Sequence, residues 1–171
     1  PFWAMIYAKA LVPGDMSKGL IAVIEDITSQ RIAAQALRQS ERLNRTIIDQ
    51  TADGFLLVDA GLRICDVNRS FTRLLGFTRE NLIGRRPDEL WPENAPHIFP
   101  NNLLELIDKP QAPIDLELSN AEGNTHPFLV NSGVVLDDQH AIEHAYAFFT
   151  DITVLKKIET HLVEAKEAAE S

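Results

Sequence analysis

Cys65 is the only cysteine in the chain. A single thiol forms no internal disulfide, and within ICDV, a short strand-prone run, it reads as a small buried hydrophobe rather than a nucleophile. His126, His140, His144 and His161 are dispersed and show no metal-ligand spacing, so the sequence holds no metal site. Asp137 and Asp138 fall in a turn, where backbone bonding and solvent account for them. Asp88, Glu89 and Glu93 could line the mouth of a pocket, but closeness in sequence does not create the perturbed acid or base that catalysis needs. Gly84 stands alone, which excludes a glycine-rich phosphate loop. No residue is assigned a catalytic role, and the chain is not expected to be an enzyme.

The charge balance narrows the partners. Sixteen Lys and Arg stand against 25 Asp and Glu, a formal charge of -9, so a nucleic-acid backbone is not the expected partner. No stretch approaches the roughly 20 apolar residues that cross a bilayer, since Ile21 to Ile24 soon meets Glu25 and Asp26. The lone cysteine fits a reducing compartment. A cytoplasmic location is expected for the chain, which starts at Pro1 and reads as a fragment whose parent could be membrane-anchored.

The elements that must position these residues follow from periodicity. FWAMIYAKAL at 2–11 and GLIAVIEDIT at 19–28 read as two strands around the turn VPGD, a hairpin too small to be stable alone. From 28 to 53 there is no glycine or proline, and Ile32, Ala36, Leu43 and Ile47 fall near one helical face, a narrow apolar stripe that suits a two-helix coiled coil, with one amphipathic helix packed back on its own domain as the alternative. FLLVD and ICDV are short strands around AGLR, and Asn68 caps a helix carrying Phe71, Leu74 and Leu75 that Gly76 ends. Thr78 opens a further helical turn that Gly84 stops. Pro87, Pro92, Pro96 and Pro100 exclude a long helix, and a helix is expected again over 101–108. Three strands follow in a meander, at 114–119, 125–136 and 143–150, before a second charged helix. This order predicts an antiparallel α+β domain rather than a doubly wound sheet.

EDIT at 25–28 and TDIT at 150–153 each close a strand and open a charged helix. Extended upstream at constant offset, the match sets Trp3 against Phe128 and the turn at 12–18 against that at 137–140, as if the hairpin ended a preceding copy of the same domain. The divisions expected are therefore 1–28 for that hairpin, 29–50 for a linking helix, 51–153 for the domain and 154–171 for the start of a signalling helix. Asp151, Ile152 and Thr153 form the joint between the last strand and that helix.

SERLNRTIIDQTADGFLLVDAGLRICDVNRSFTRLLGFTRENLIGRR resembles the first half of PAS sensor domains, and AFFTDITVLKKIE resembles their last strand and exit helix. The resemblance covers residues 40 to 155, with Asp53-Gly54, Asp66-Val67-Asn68, Phe71 to Gly76, Gly84 and Asp151-Ile152-Thr153 in the expected order. It implies a PAS fold, a five-stranded antiparallel sheet with short helices on one face and long signalling helices at both ends. It also implies homodimerisation through those helices. HLVEAKEAAES looks like the segment entering the phosphoacceptor helices of hybrid sensor histidine kinases, so an output domain in the same parent chain is expected, with a diguanylate cyclase as the alternative.

Flavin-binding relatives carry a reactive cysteine after the glycine that Gly84 matches; here Arg85, Arg86, Pro87, Asp88 and Glu89 follow, which argues against thiol adduct photochemistry. Haem-binding relatives use a helical histidine, and His97 falls in a comparable stretch, but Pro96 and Pro100 restrict its backbone and the spacing after Pro92 is short. The cofactor is thus unassigned. Phe71, Leu75, Leu90, Trp91, Phe99, Leu103, Leu106 and Phe128 are the candidate pocket, with His97, Arg86 or Asn131 as polar anchors for a small apolar or mixed-polarity ligand. Core packing explains most of them equally well. Two functions compete: a small-molecule sensor acting on the exit helix, and an unliganded homodimerising relay.

Overall fold

The structure is a computed structural model that describes residues 2–13, 15–108 and 112–170. The chain divides into two compact units, Pro1–Ile47 and Ile48–Ser171, each described by itself.

In the first unit β1 (Ala4–Val12) and β2 (Asp15–Asp26) form an antiparallel hairpin, paired from Ala4 with Asp26 to Val12 with Asp15, with a bulge between Ala10 and Val12. The second strand starts at Asp15 rather than at the expected Gly19, because the ladder continues up to a tight turn at Pro13. Ile6 and Ile24 pair on one face, Tyr7 and Val23 on the other, and all four are exposed. A hairpin apolar on both faces supplies no core of its own. Helix α1 (Thr28–Gln50) leaves β2 after one residue, Ile27, and buries none of its side chains.

In the second unit β3 (Gly54–Asp59), β4 (Ile64–Val67), β5 (Ile114–Ser119), β6 (Thr125–Leu136) and β7 (Ile142–Asp151) form one sheet in the order β4-β3-β7-β6-β5. Every neighbouring pair is antiparallel. The period-two pattern decides which face is buried. In the central strand β7, Ala145, Ala147 and Phe149 are buried, while His144, Tyr146 and Phe148 lie on the other face. The inner face is covered by α2 (Arg69–Leu75), α3 (Arg79–Leu82), α4 (Pro87–Leu90), α5 (Ala95–Ile98) and α6 (Glu105–Asp108). Helix α7 (Thr153–Glu170) then leaves β7 after the single residue Ile152. This is the antiparallel α+β sheet with flanking long helices that the strand order predicts.

The helix expected over 101–108 is confined to its last turn. The Asn102 side chain accepts the Leu104 N–H at 3.3 Å, a local turn that competes with helix ahead of Glu105. At the end of α2, Gly76 takes φ 72 and donates its N–H to Thr72 O, the left-handed stop that only glycine adopts cheaply.

One side chain ties three elements together. Asn68 is 1% exposed and uses its whole hydrogen-bonding capacity. Its Oδ1 accepts the N–H groups of Phe55 and Phe71 at 2.9 and 2.8 Å, clamping β3 and capping α2. Its Nδ2 donates to the carbonyls of Ile48 and Asp53 at 2.8 and 2.9 Å, so it also satisfies an end carbonyl of α1.

Candidate functional site

The apolar residues of the predicted pocket converge in one buried cluster. Phe71, Leu75, Trp91, Phe99, Leu103, Leu106 and Phe128 are all buried in one core with Phe149, and Leu90 packs half-buried against it. Phe71 meets Phe149 and Trp91 edge-on at centroid distances of 5.2 and 6.2 Å, and Phe128 meets Phe149 at 6.4 Å. Such T-shaped contacts are the geometry that aromatic quadrupoles prefer. Trp91 donates its Nε1–H to Ser119 O at 2.9 Å, which fixes α4 to the end of β5.

Two proposed polar anchors lie elsewhere. Asn131 is exposed opposite Phe148, because its neighbour Val130 takes the inward position and strand parity sends Asn131 to the outer face. His97 is exposed because Ala95 and Ile98, three apart on α5, take the buried face. Neither residue reaches the apolar core. Arg86, the third anchor, donates through Nη1 to Gly61 O at 2.9 Å and pairs with Asp88 at 3.1 Å. It borders two adjoining clefts of about 180 and 390 Å³ that share Leu62 and Asn101. Of the predicted set, Phe99 lines the smaller cleft and Leu103 the larger.

The resolved shifts among the described residues have local causes. Burial pushes the Cys65 thiol up, with Asp59 adding to the effect, so this thiol is not activated. The Arg85 side chain holds Glu89 below the usual carboxylate range through a hydrogen bond of 3.0 Å. Among the described residues no group of three His, Cys, Asp or Glu is arranged to hold a metal.

The joint between β7 and α7 is built from three consecutive residues. Asp151 Oδ1 accepts the Thr153 N–H at 2.8 Å, capping α7. Ile152 is 8% exposed, donates its N–H to Pro127 O at 3.2 Å, and accepts the Lys156 N–H at 2.9 Å. One turn in, Lys156 pairs with Asp115 of β5, which raises its pKa. The joint between β2 and α1 repeats this plan. Asp26 Oδ1 accepts the Thr28 N–H at 2.9 Å; Ile27, also 8% exposed, donates to Trp3 O at 3.0 Å and accepts the Arg31 N–H at 3.0 Å. At the position of Lys156, Arg31 stacks on Trp3 at 4.5 Å from the ring centroid.

The repeat read from the sequence is shifted by one residue on its first strand. Ala4 stands where Phe128 does, opposite Asp26 and Asp151 respectively, so the counterpart of Trp3 is Pro127. The hairpin from Phe128 to Asp151 is one residue longer than that from Ala4 to Asp26, so a single offset does not hold along both strands. Sequence reasoning also missed the second and third roles of Asn68. Its cap signal was visible, but bonds to carbonyls 15 and 20 residues away leave no local pattern.

The four apolar residues of α1 are open. Ile32, Leu43 and Ile47 are between 59% and 63% exposed, and Ala36 is exposed with them. On α7, Leu155, Ile158 and Leu162 are between 52% and 72% exposed, and Ala165 and Ala169 extend their spacing of three and four.

Comparison with known proteins decides the family. A sequence model described as a PAS domain matches residues 52–154, from just before β3 to the first residues of α7. The chain belongs to the PAS domain family. A crystal structure of a PAS domain from Colwellia psychrerythraea superposes with a TM-score of 0.59 at 18% identity, covering 66% of this chain and 96% of that one. The signal transduction histidine-protein kinase AtoS of Escherichia coli is 25% identical over 137 residues, 80% of this chain and 22% of AtoS. The two-component sensor PprA of Pseudomonas aeruginosa is 32% identical over 91 residues, 51% of this chain and 10% of PprA. This PAS chain therefore spans about a fifth and a tenth of the curated relatives it matches. A sensory or signalling role within a multidomain transduction protein comes with the family. No described helix is long and apolar enough to cross a membrane.

Proposed function

We propose that this chain is a homodimerising PAS relay that passes conformational changes from α1 through the sheet into α7, and on to an output domain in the same parent chain, a histidine kinase. The observation that carries this reading is the path. Asn68 ties the end of α1 to β3, β3 pairs with β7 along its whole length, and β7 becomes α7 across one buried residue. Both helices then present apolar seams that are more than half exposed. Helices of 23 and 18 residues with such seams gain their stability from a partner, and a second copy offers the same seams in register. The names of AtoS and PprA support a two-component output.

On this reading residues 1–28 are the closing hairpin of a preceding PAS-like unit. The matching hydrogen bonds of the two joints support that assignment, and α1 then serves as exit helix of one unit and leading helix of the next.

A second reading, sensing of a small molecule of mixed polarity, is favoured by the clefts at Arg86. They offer a guanidinium and the Asn101 side chain beside the apolar Leu62. Sedimentation velocity over a concentration series tests the first reading. The chain is expected to be a dimer, and both Leu43→Asp/Ile47→Asp and Ile158→Asp/Leu162→Asp should shift it to monomer with circular dichroism of the sheet unchanged. A parent chain that stays monomeric throughout refutes dimerisation.

A further inference from the structure

The two joints differ in the bonding of their threonine hydroxyls. At the first, the Thr28 hydroxyl is engaged: Trp3 donates its N–H to Oγ1 at 2.9 Å, and the hydroxyl reaches Trp3 O at 3.4 Å. At the second, Thr153 Oγ1 is buried and has no hydrogen-bond partner. The residue facing it is Pro127, placed by the same backbone bond that places Trp3, and proline has no N–H to give. The missing bond is therefore written into the sequence, since proline stands where the first joint carries a donor. Pro127 pairs with Glu117 of β5 but lies one residue before the β6–β7 ladder begins at Phe128, and its carbonyl points to Ile152, so the N–H it lacks would have pointed at the joint rather than into a ladder. A buried hydroxyl without a partner is a standing cost that native structures rarely keep.

We infer that Pro127 makes the β7–α7 joint the compliant one of the two. Helix α7 parts from the sheet without the strand-to-helix bond that Trp3 N–H makes to Thr28 Oγ1 at the first joint. What remains at the second joint is the Ile152 bond to Pro127 O, the Asp151 cap and the Lys156 pair with Asp115. The last lies at the surface, where an ion pair contributes little. Compliance is thus placed at the end of the domain from which the output helix leaves. Its use in signalling rests on the relay reading; its physics does not.

The test is a double-mutant cycle on the full chain, read by amide hydrogen exchange at Ile152 and Thr153, with Leu56 and Ala147 as core references. Pro127→Ala supplies the missing N–H and should slow exchange at both joint amides about fivefold relative to the references, the equilibrium factor of one net hydrogen bond. Thr153→Val removes the unpaired hydroxyl at nearly constant shape, and should leave the core references as protected as in the parent or more so. In the Thr153→Val background, Pro127→Ala should produce no joint-specific slowing. The cycle subtracts the general loosening of the unfolded chain that replacing a proline brings. Equal effects of Pro127→Ala with and without the hydroxyl, or no slowing at all, overturn the inference. Because the readout lies within one chain, a failure of dimerisation or of kinase coupling leaves this result unchanged.

Discussion

Replacing Asn68 by aspartate probes the coupling of α1 to the PAS core with almost no change of shape. The carboxylate still accepts from Phe55 and Phe71, but it cannot donate, so the carbonyls of Ile48 and Asp53 lose their partner. A fully buried acceptor left unpaired costs about 1–3 kcal/mol, and these two carbonyls are part-buried, so the pair costs about 1–3 kcal/mol together, with repulsion between the carboxylate and the carbonyl oxygens added. A loss of about 2–3 kcal/mol is expected at neutral pH, a large share of the roughly 5–15 kcal/mol that holds a domain together. The sign of the pH dependence is fixed as well. Burial beside carbonyl oxygens raises the folded-state pKa of the new carboxyl above its unfolded value. The destabilisation is then full above the raised pKa and shrinks as pH falls through it, when the protonated acid regains one O–H donor. Urea unfolding of parent and Asn68→Asp across a pH series measures both effects. A variant within about 1 kcal/mol of the parent at neutral pH, with parallel pH profiles, would refute the assignment of Asn68 as a four-bond clamp.

Gly133→Ala should cost about 1–3 kcal/mol by urea unfolding, because a Cβ there would sit 2.6 Å from the Tyr146 hydroxyl; a neutral effect would mean that Tyr146 swings away freely. Trp91→Phe should cost at least about 1–3 kcal/mol in the same assay, because the bond to Ser119 O is lost and the smaller ring leaves a gap in the core, and retained stability would remove α4 from the clamp on β5. Asp26 is held below its ordinary 3.8 by the Thr28 side chain and then the Thr28 backbone, so its contribution is present above 3.8 and is lost as pH falls through the lower folded value. The Thr28 amide shift should titrate with a midpoint below 3.8, and a midpoint at or above 3.8 contradicts the cap.

The fold was legible because its signals are local. Alternation set Ala145, Ala147 and Phe149 on one face of the last strand, Asn68 and Gly76 bracketed α2, and four prolines cut the region from 87 to 100 into single turns. The apolar part of the candidate pocket was legible too, as core. What local pattern could not reveal was direction at positions without a clear period. His97 and Asn131 were drawn into the pocket by residue type, although helix spacing and strand parity send both outward. The clefts at Arg86 were invisible for a different reason: they form where the turn after β3 meets segments some 25 to 40 residues later. The joints were found by their shared Asp, Ile and Thr, but the difference between Trp3 and Pro127 needed the register.

Cysteine scanning along α7 tests the relay most directly. With Cys65 replaced by serine, single cysteines are placed from Thr153 to Ala169 and oxidised in the intact chain. Disulfide cross-linking between copies should peak at Leu155, Ile158, Leu162, Ala165 and Ala169 and reach minima at Lys156, Thr160 and Glu164 on the opposite face. A flat profile, or one that peaks at Lys156 and Thr160, contradicts the claim that α7 leaves the PAS core as one half of a paired output helix.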